Sequence, residues 1–153
     1  MRHRFKTSPG DPAPISLTIK RTVRFEEVDS MGIVWHGRYF SYFEDARVAL
    51  GDYLGLGYLD YYGKGVLAPI KETWADYLKP LRFGETAEVT ATLHYTEAAR
   101  INTSFSIVNE KGETVTRGYS IQLLLDAGGT VLLLPPPFHA EAYKRWKEGG
   151  TLP

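Results

Sequence analysis

Asp29 and His36 stand seven residues apart in Asp29-Ser30-Met31-Gly32-Ile33-Val34-Trp35-His36-Gly37-Arg38-Tyr39, at the junction of a strand-like and a helix-like run. A positioned carboxylate can take a proton from water or attack a carbonyl, and an imidazole can orient or protonate the reacting groups. The glycine and apolar residues between them can seat the carboxylate in an apolar cleft, where burial and neighbours tune its acidity. The alternative reading is structural: aspartate often caps a turn before a helix, and a histidine can fill space or bond a loop carbonyl. Gly32 permits a tight turn or a close backbone approach.

No other set of residues competes. With no cysteine in the chain, a thiolate nucleophile, a thiolate zinc site and a disulfide scaffold are excluded. His94 falls on a polar strand face, His3 in the N-terminal arm and His139 near the C-terminus, so no metal site is expected. No phosphate-cradling glycine loop or nucleophile elbow is present, and Ser30 and Ser41 lack a flanking nucleophile pattern. Glu44 and Arg47, three apart, read as a helix-surface pair.

The elements that must position this segment follow from periodicity. Leu17 to Phe25 alternates as a strand, with Leu17, Ile19, Val23 and Phe25 on one face. From Tyr39 the period changes: Phe40, Phe43, Arg47, Leu50 and Leu54 mark an amphipathic helix that Gly55 ends. Residues 55–65, rich in glycine and tyrosine, read as a loop. Val66 to Leu78 reads as extended, with a bulge or bend at Pro69. Three alternating rows follow: Ala87 to Tyr95, Ile101 to Ile107, and Val115, Tyr119, Ile121, Leu123 and Leu125, joined by hairpin-length turns. Arg117 falls in phase with the last row, where an apolar residue is expected; its stem snorkels from the core or its head meets a phosphate or a carboxylate. Trp35 and Trp74 read as core. A short helix spans Phe138 to Lys147, after Pro135-Pro136-Pro137 stops the sheet.

The chain of 153 residues suits one domain, and 43% hydrophobic residues suffice for a core. Eighteen basic and eighteen acidic residues cancel, so no broad footprint for nucleic acid or an anionic membrane is expected. No apolar run approaches the ~20 residues that span a bilayer, and the polar start lacks a signal-peptide core. The expectation is a cytoplasmic protein with a flexible arm over 1–16, one domain over 17–148 and a tail over 149–153. One long helix against five or six antiparallel strands is a two-layer α+β arrangement.

This order and motif resemble the hotdog-fold acyl-CoA thioesterases related to 4-hydroxybenzoyl-CoA thioesterase. The resemblance runs through Val23-Arg24-Phe25-Glu26-Glu27-Val28-Asp29, Gly32 to Phe40, Phe43-Glu44-Asp45-Ala46-Arg47, Ala68-Pro69-Ile70 and Leu78 to Glu85, and covers about residues 17 to 146. Many relatives carry Asp-Thr-Asp or Asp-Cys-Asp where this chain has Glu27-Val28-Asp29. His36 resembles the aliphatic-acyl branch, and Ala68-Pro69-Ile70 the hydroxybenzoyl branch. The resemblance implies hydrolysis of an acyl-CoA or acyl-carrier-protein thioester, with no cofactor beyond the CoA of the substrate. Asp29 is implied as general base or nucleophile, and position 36 as a helix-start N–H with an imidazole. Gly32, Pro69, Arg100 and Arg117 are implied in substrate binding, the arginines toward CoA phosphates. A homodimer, associating further as a dimer of dimers, is implied, with the cleft between subunits. The alternatives are a non-catalytic acyl-CoA-binding protein and an acyl-thioester hydratase or dehydratase, whose signature segments near the helix are absent from this sequence.

Overall fold

The computed structural model describes residues 4–152, so His3 lies outside the described residues. Strand β1 (Ile15–Thr22) is followed by the 29–36 segment, helix α1 (Tyr39–Leu54) and a short helix α2 (Tyr58–Gly63). Strands β2 (Ile70–Tyr77), β3 (Thr86–His94), β4 (Arg100–Val108) and β5 (Thr114–Leu123) come next, then helix α3 (Pro137–Lys147). The five strands form one antiparallel sheet in the order β1-β3-β4-β5-β2, and α1 lies against one face. This is the hotdog arrangement.

The register explains how the helix seats. Leu17, Ala91, Phe105, Gly118 and Ala75 make one cross-sheet row facing α1. Phe43 of α1 stacks on Phe105, centroids 4.5 Å apart and planes 7° from parallel. Gly118 leaves the room for that ring, since a Cβ there would sit 2.4 Å from Phe43 Cε2 and 2.5 Å from the Trp74 carbonyl oxygen. The opposite face carries Ser16, Thr92, Ser104, Tyr119 and Trp74, with Ser16–Thr92 and Thr18–Thr90 hydroxyl pairs at 2.8 and 2.7 Å. Arg4 and Phe5 rest on that face, Phe5 packing 5.0 Å from the His94 ring and 5.8 Å from the Tyr119 ring.

Several expectations hold. Helix α1 stops at Gly55, whose φ of 66° is the left-handed conformation that ends helices. The ladder slips between Ile70 and Glu72, beside Pro69, as the proline required. The hairpin over 109–113 closes through Asn109 Oδ1, which accepts the Lys111 and Glu113 N–H groups.

Others are corrected. Strand β1 starts at Ile15 and ends at Thr22; Phe25 to Glu27 forms a 3₁₀ turn and Phe25 is 78% exposed, while Val23 does join the core. The buried stripe of α1 is Tyr39, Tyr42, Phe43, Ala46, Leu50 and Leu54, and Phe40 lies outside it. Residues 58–63 are helical rather than loop, because Asp60 Oδ2 accepts the Gly57 N–H at 2.8 Å and Tyr61 buries against α3. Trp35 and Trp74 are 48% and 41% exposed, not core.

The β5 row is inverted for a definable reason. Ile107 pairs with Thr116 and Val108 with Thr114, which leaves Val115 as an extra, bulged residue. One inserted residue flips the side-chain alternation beyond it. Val115 therefore joins the core, Gly118 faces α1, and Arg117 and Tyr119 take the outer face. Arg117 does not snorkel from the helix-side core; it lies opposite Ser106 and Asp76.

Candidate active site

The Asp29 segment is a short hairpin-like turn. Val28 bridges Val34, the Asp29 N–H donates to the Ile33 carbonyl at 2.8 Å, and the Gly32 N–H donates back to the Asp29 carbonyl at 3.0 Å. Gly32 closes the turn with φ of 74°, where any other L-residue is strained. Asp29 Oδ1 accepts the Met31 N–H at 2.8 Å, so this carboxylate does cap the turn. Its Oδ2 accepts no hydrogen bond among the described residues. The side chain is half-buried.

Glu27, two residues earlier, is 2% exposed and anchors the turn. Its Oε1 accepts Arg21 Nη2 at 2.5 Å, and its Oε2 accepts the Arg24 N–H at 2.9 Å and the Tyr42 hydroxyl at 2.8 Å. Its carbonyl accepts the Trp35 N–H at 2.9 Å. Arg21 also reaches Asp45 at 2.5 Å and lies 4.0 Å over the Tyr42 ring. Burial acts to raise the Glu27 pKa, but bonds from Arg24, Tyr42 and Arg21 outweigh it and hold the carboxyl below its usual range. Tyr42 moves the opposite way, raised by burial and by the adjacent carboxylate. Sequence reasoning missed this cluster. The available signal was Arg21, which sits in phase with Leu17, Ile19 and Val23 on the apolar side of β1.

His36 begins a 3₁₀ turn (His36–Arg38) that runs directly into α1. The N–H groups of His36 and Gly37 stand at this start, where a helix leaves its first donors without intrahelical acceptors. Among the described residues neither donates to a backbone carbonyl outside the helix. The macrodipole of a 16-residue helix adds partial positive charge at this end. Gly37 lets the Trp35 ring lie directly over the helix start, since a Cβ there would meet that ring and push it aside. The Tyr77 hydroxyl of β2 donates to the His36 carbonyl at 2.7 Å, and the imidazole lies between the Trp35 and Tyr77 rings, centroids 4.9 and 6.4 Å away. His36 is exposed, and no hydrogen bond joins it to Asp29 among the described residues.

The other expected residues are spread out. Gly32 is at the exposed tip of the turn, and Pro69 is exposed just before β2, its carbonyl accepting the Leu123 N–H at 3.1 Å. Arg100 is exposed at the start of β4, opposite Leu123, whereas Arg117 lies opposite Ser106. Six residues of β4 separate those two positions, about 20 Å at 3.3 Å per residue, so one chain does not bring the arginines together. Arg117 is adjacent in register to the Thr116–Tyr77 pair, which connects its position to the His36 region through Tyr77.

A cavity of about 130 Å³ lies between α1, α2 and the sheet, bounded by Arg47, Leu54, Tyr61, Thr103 and Gln122 among others. Glu44 and Arg47 both border it; they attract each other electrostatically, without a direct salt bridge among the described residues. Burial lowers the Arg47 pKa against the pull of Glu44. His94 bonds Ser104 through Nε2 at 2.7 Å on the outer sheet face, and no metal-binding group of histidine, aspartate and glutamate occurs among the described residues.

The thioesterase-like superfamily matches residues 23–145, which spans the turn, α1 and the whole of β2 to β5. The Bacillus subtilis protein YneP, provisionally named an acyl-CoA thioesterase, is 36% identical over 104 residues, 68% of this chain and 75% of its own. A 1,4-dihydroxy-2-naphthoyl-CoA hydrolase from Thermosynechococcus vestitus is 26% identical over 69% of this chain and 72% of its own. Among solved structures, a DHNA-CoA thioesterase from Staphylococcus aureus superposes with a TM-score of 0.71 at 27% identity, over 77% of this chain and 80% of its own. With the turn, the helix start and four of the five strands inside the matched span, the chain belongs to the thioesterase-like superfamily.

Proposed function

We propose that this protein hydrolyses acyl-CoA thioesters at the surface formed by the Asp29 turn and the start of α1. The observation that carries the reading is the pairing of functions there. One carboxylate oxygen of Asp29 is fixed by the Met31 N–H while the other has no partner among the described residues, and the His36 and Gly37 N–H groups stand at a helix start. A thioester carbonyl whose oxygen meets those N–H groups gains stabilisation as it becomes an oxyanion. Asp29 then acts on the carbonyl carbon by one of two balanced routes. As a base it takes a proton from water as the water oxygen adds, and the tetrahedral intermediate then collapses to the acid as the C–S bond breaks and the thiolate leaves; as a nucleophile it forms an acyl anhydride with loss of the thiolate, and water hydrolyses the anhydride. The His36 imidazole, exposed beside the Trp35 and Tyr77 rings, orients the water or returns a proton to the leaving thiolate. Gly32 and Pro69 border the substrate, Arg100 and Arg117 meet CoA phosphates, and no cofactor takes part. The names of the relatives, both CoA-thioester hydrolases, support CoA as the carrier.

The active species is a homodimer that pairs again into a dimer of dimers, with the cleft completed by the partner. Exposed apolar side chains support this: Phe25, Met31, Trp35 and Phe83 surround the turn, and Trp74, Tyr77 and Leu78 lie on the edge strand β2. An unpaired, apolar strand edge beside exposed aromatic side chains is a surface that association covers. Light scattering at micromolar concentration should show dimer or tetramer; monomer alone contradicts this assembly. No described helix is long and apolar enough to cross a membrane, and we assign the protein to the cytoplasm.

A substrate panel tests the reaction. Free thiol is measured on acetyl-, medium-chain, long-chain, benzoyl- and phenylacetyl-CoA. Release from at least one is expected. Tight binding without release from any identifies a binding module instead.

A further inference from the structure

We propose that Glu27 is a positioning residue of the site, a buried group that fixes the Asp29 turn and the start of α1 relative to each other. The inference rests on the Asp29 reading above. The two halves of the site belong to different elements, a turn after β1 and the first turn of a helix. Glu27 holds both. Its side chain fixes the 3₁₀ turn leading to Val28 and Asp29 through the Arg24 N–H, ties it to β1 through Arg21, and ties it to α1 through Tyr42. Its carbonyl accepts the N–H of Trp35, the residue before His36. Downstream, the Val34 N–H donates to the Leu81 carbonyl at 2.8 Å and Ile33 bridges Arg82, so the far arm of the turn is also fastened.

The chemistry of the cluster requires an ionised carboxylate rather than a polar group of the same shape. All three partners of the Glu27 side chain, the Arg21 guanidinium, the Arg24 N–H and the Tyr42 hydroxyl, offer donors. A carboxylate accepts at both oxygens, whereas an amide accepts at one and donates at the other. Glutamine would therefore set its NH₂ against Arg21 or against the Arg24 N–H, in a site from which water is excluded. Arg21 would keep Asp45, whose side chain is largely in solvent, and lose the buried half of its pairing. The outcome is a turn free to shift against the helix start, and displacements of about 1 Å in a catalytic constellation cost on the order of 100-fold in rate.

Steady-state kinetics on the full-length protein test this, with the CoA thioester of the panel that it turns over fastest and with folding confirmed by circular dichroism. Glu27→Gln should lower kcat by ~10- to 100-fold and leave KM within about 3-fold, because the residue does not touch substrate. Glu27→Asp keeps the charge and should recover a clear part of the lost kcat. A folded Glu27→Gln with unaltered kcat, or a loss carried wholly in KM, overturns the proposal. If Glu27→Gln does not fold, Tyr42→Phe removes one donor and leaves the ion pair; a several-fold fall in kcat at constant KM is expected, and wild-type kcat overturns the proposal. Asp29→Asn run in parallel separates the two levels. A fully active Asp29→Asn refutes the site itself, whereas an inactive Asp29→Asn beside a fully active Glu27→Gln refutes only the positioning role.

Discussion

Acidification should destabilise this protein through His139. The residue is fully buried in α3, its ring stacked on Tyr143 with centroids 4.0 Å apart and its Nδ1 2.6 Å from the Tyr61 hydroxyl. Burial pushes its pKa down from 6.5 to about 4. A group whose folded pKa lies below its unfolded value is a source of acid lability. Above pH 6.5 both states hold it neutral; between 6.5 and 4 only the unfolded chain takes up the proton, so stability falls with falling pH; below 4 the loss is complete. At ~1.36 kcal/mol per unit the full loss is about 3 kcal/mol. For a chain of this size that is a fall of roughly 6–12 °C in Tm. The assay is urea unfolding followed by tryptophan fluorescence at several pH values from 7.5 to 4, for the wild type and His139→Phe. The variant is less stable at pH 7.5, having lost the Tyr61 bond, but its stability should decline less steeply. The difference between the two should shrink by about 3 kcal/mol across the range. Depressed carboxylates such as Glu27 titrate in both proteins and drop out of the comparison. Parallel pH curves for wild type and variant would refute the reasoning.

Other perturbations have definite outcomes. Gly118→Ala forces a methyl to 2.4 Å from the Phe43 ring and 2.5 Å from the Trp74 carbonyl oxygen; a loss of about 1–3 kcal/mol in chemical denaturation is expected, and wild-type stability would contradict the packing described. Gly32→Ala meets no atom within 4 Å but strains a φ of 74°, so a loss of about 1–2 kcal/mol should come with reduced kcat from a displaced Asp29. Arg100→Ala and Arg117→Ala should each raise KM for a CoA thioester more than for its pantetheine analogue, which lacks the nucleotide phosphates; equal effects on both would remove the arginines from CoA binding. His36→Ala should lower kcat less than loss of Asp29 does, and a normal rate there would leave the backbone N–H as the whole contribution of position 36.

Much of the architecture was legible because it follows from short-range patterning. The spacing of Phe43, Leu50 and Leu54 with Gly55 behind them specifies one helix and its end, and the alternation from Ala87 to Leu93 specifies a half-buried strand. The β5 face was not legible, because a single bulged residue at Val115 inverts the parity of all that follows and nothing in its residue type marks it. Phe25, Trp35 and Trp74 were misread because their apolar character says that they are covered without saying by what; in the single chain they are exposed. At the site, the Asp29 turn was readable from an aspartate and a glycine three apart, a local signature. The Glu27 cluster depends on Tyr42, fifteen residues away on the helix, and only the fold brings them together.

The most direct test of the central claim is kcat for Asp29→Asn on a CoA thioester that the wild type hydrolyses. The substitution preserves shape and the amide oxygen can still accept the Met31 N–H, so the turn should remain. Turnover should fall by at least ~100-fold while the circular dichroism spectrum and Tm stay near those of the wild type. Retention of turnover within a few-fold of wild type would contradict the assignment of Asp29 as the reacting group.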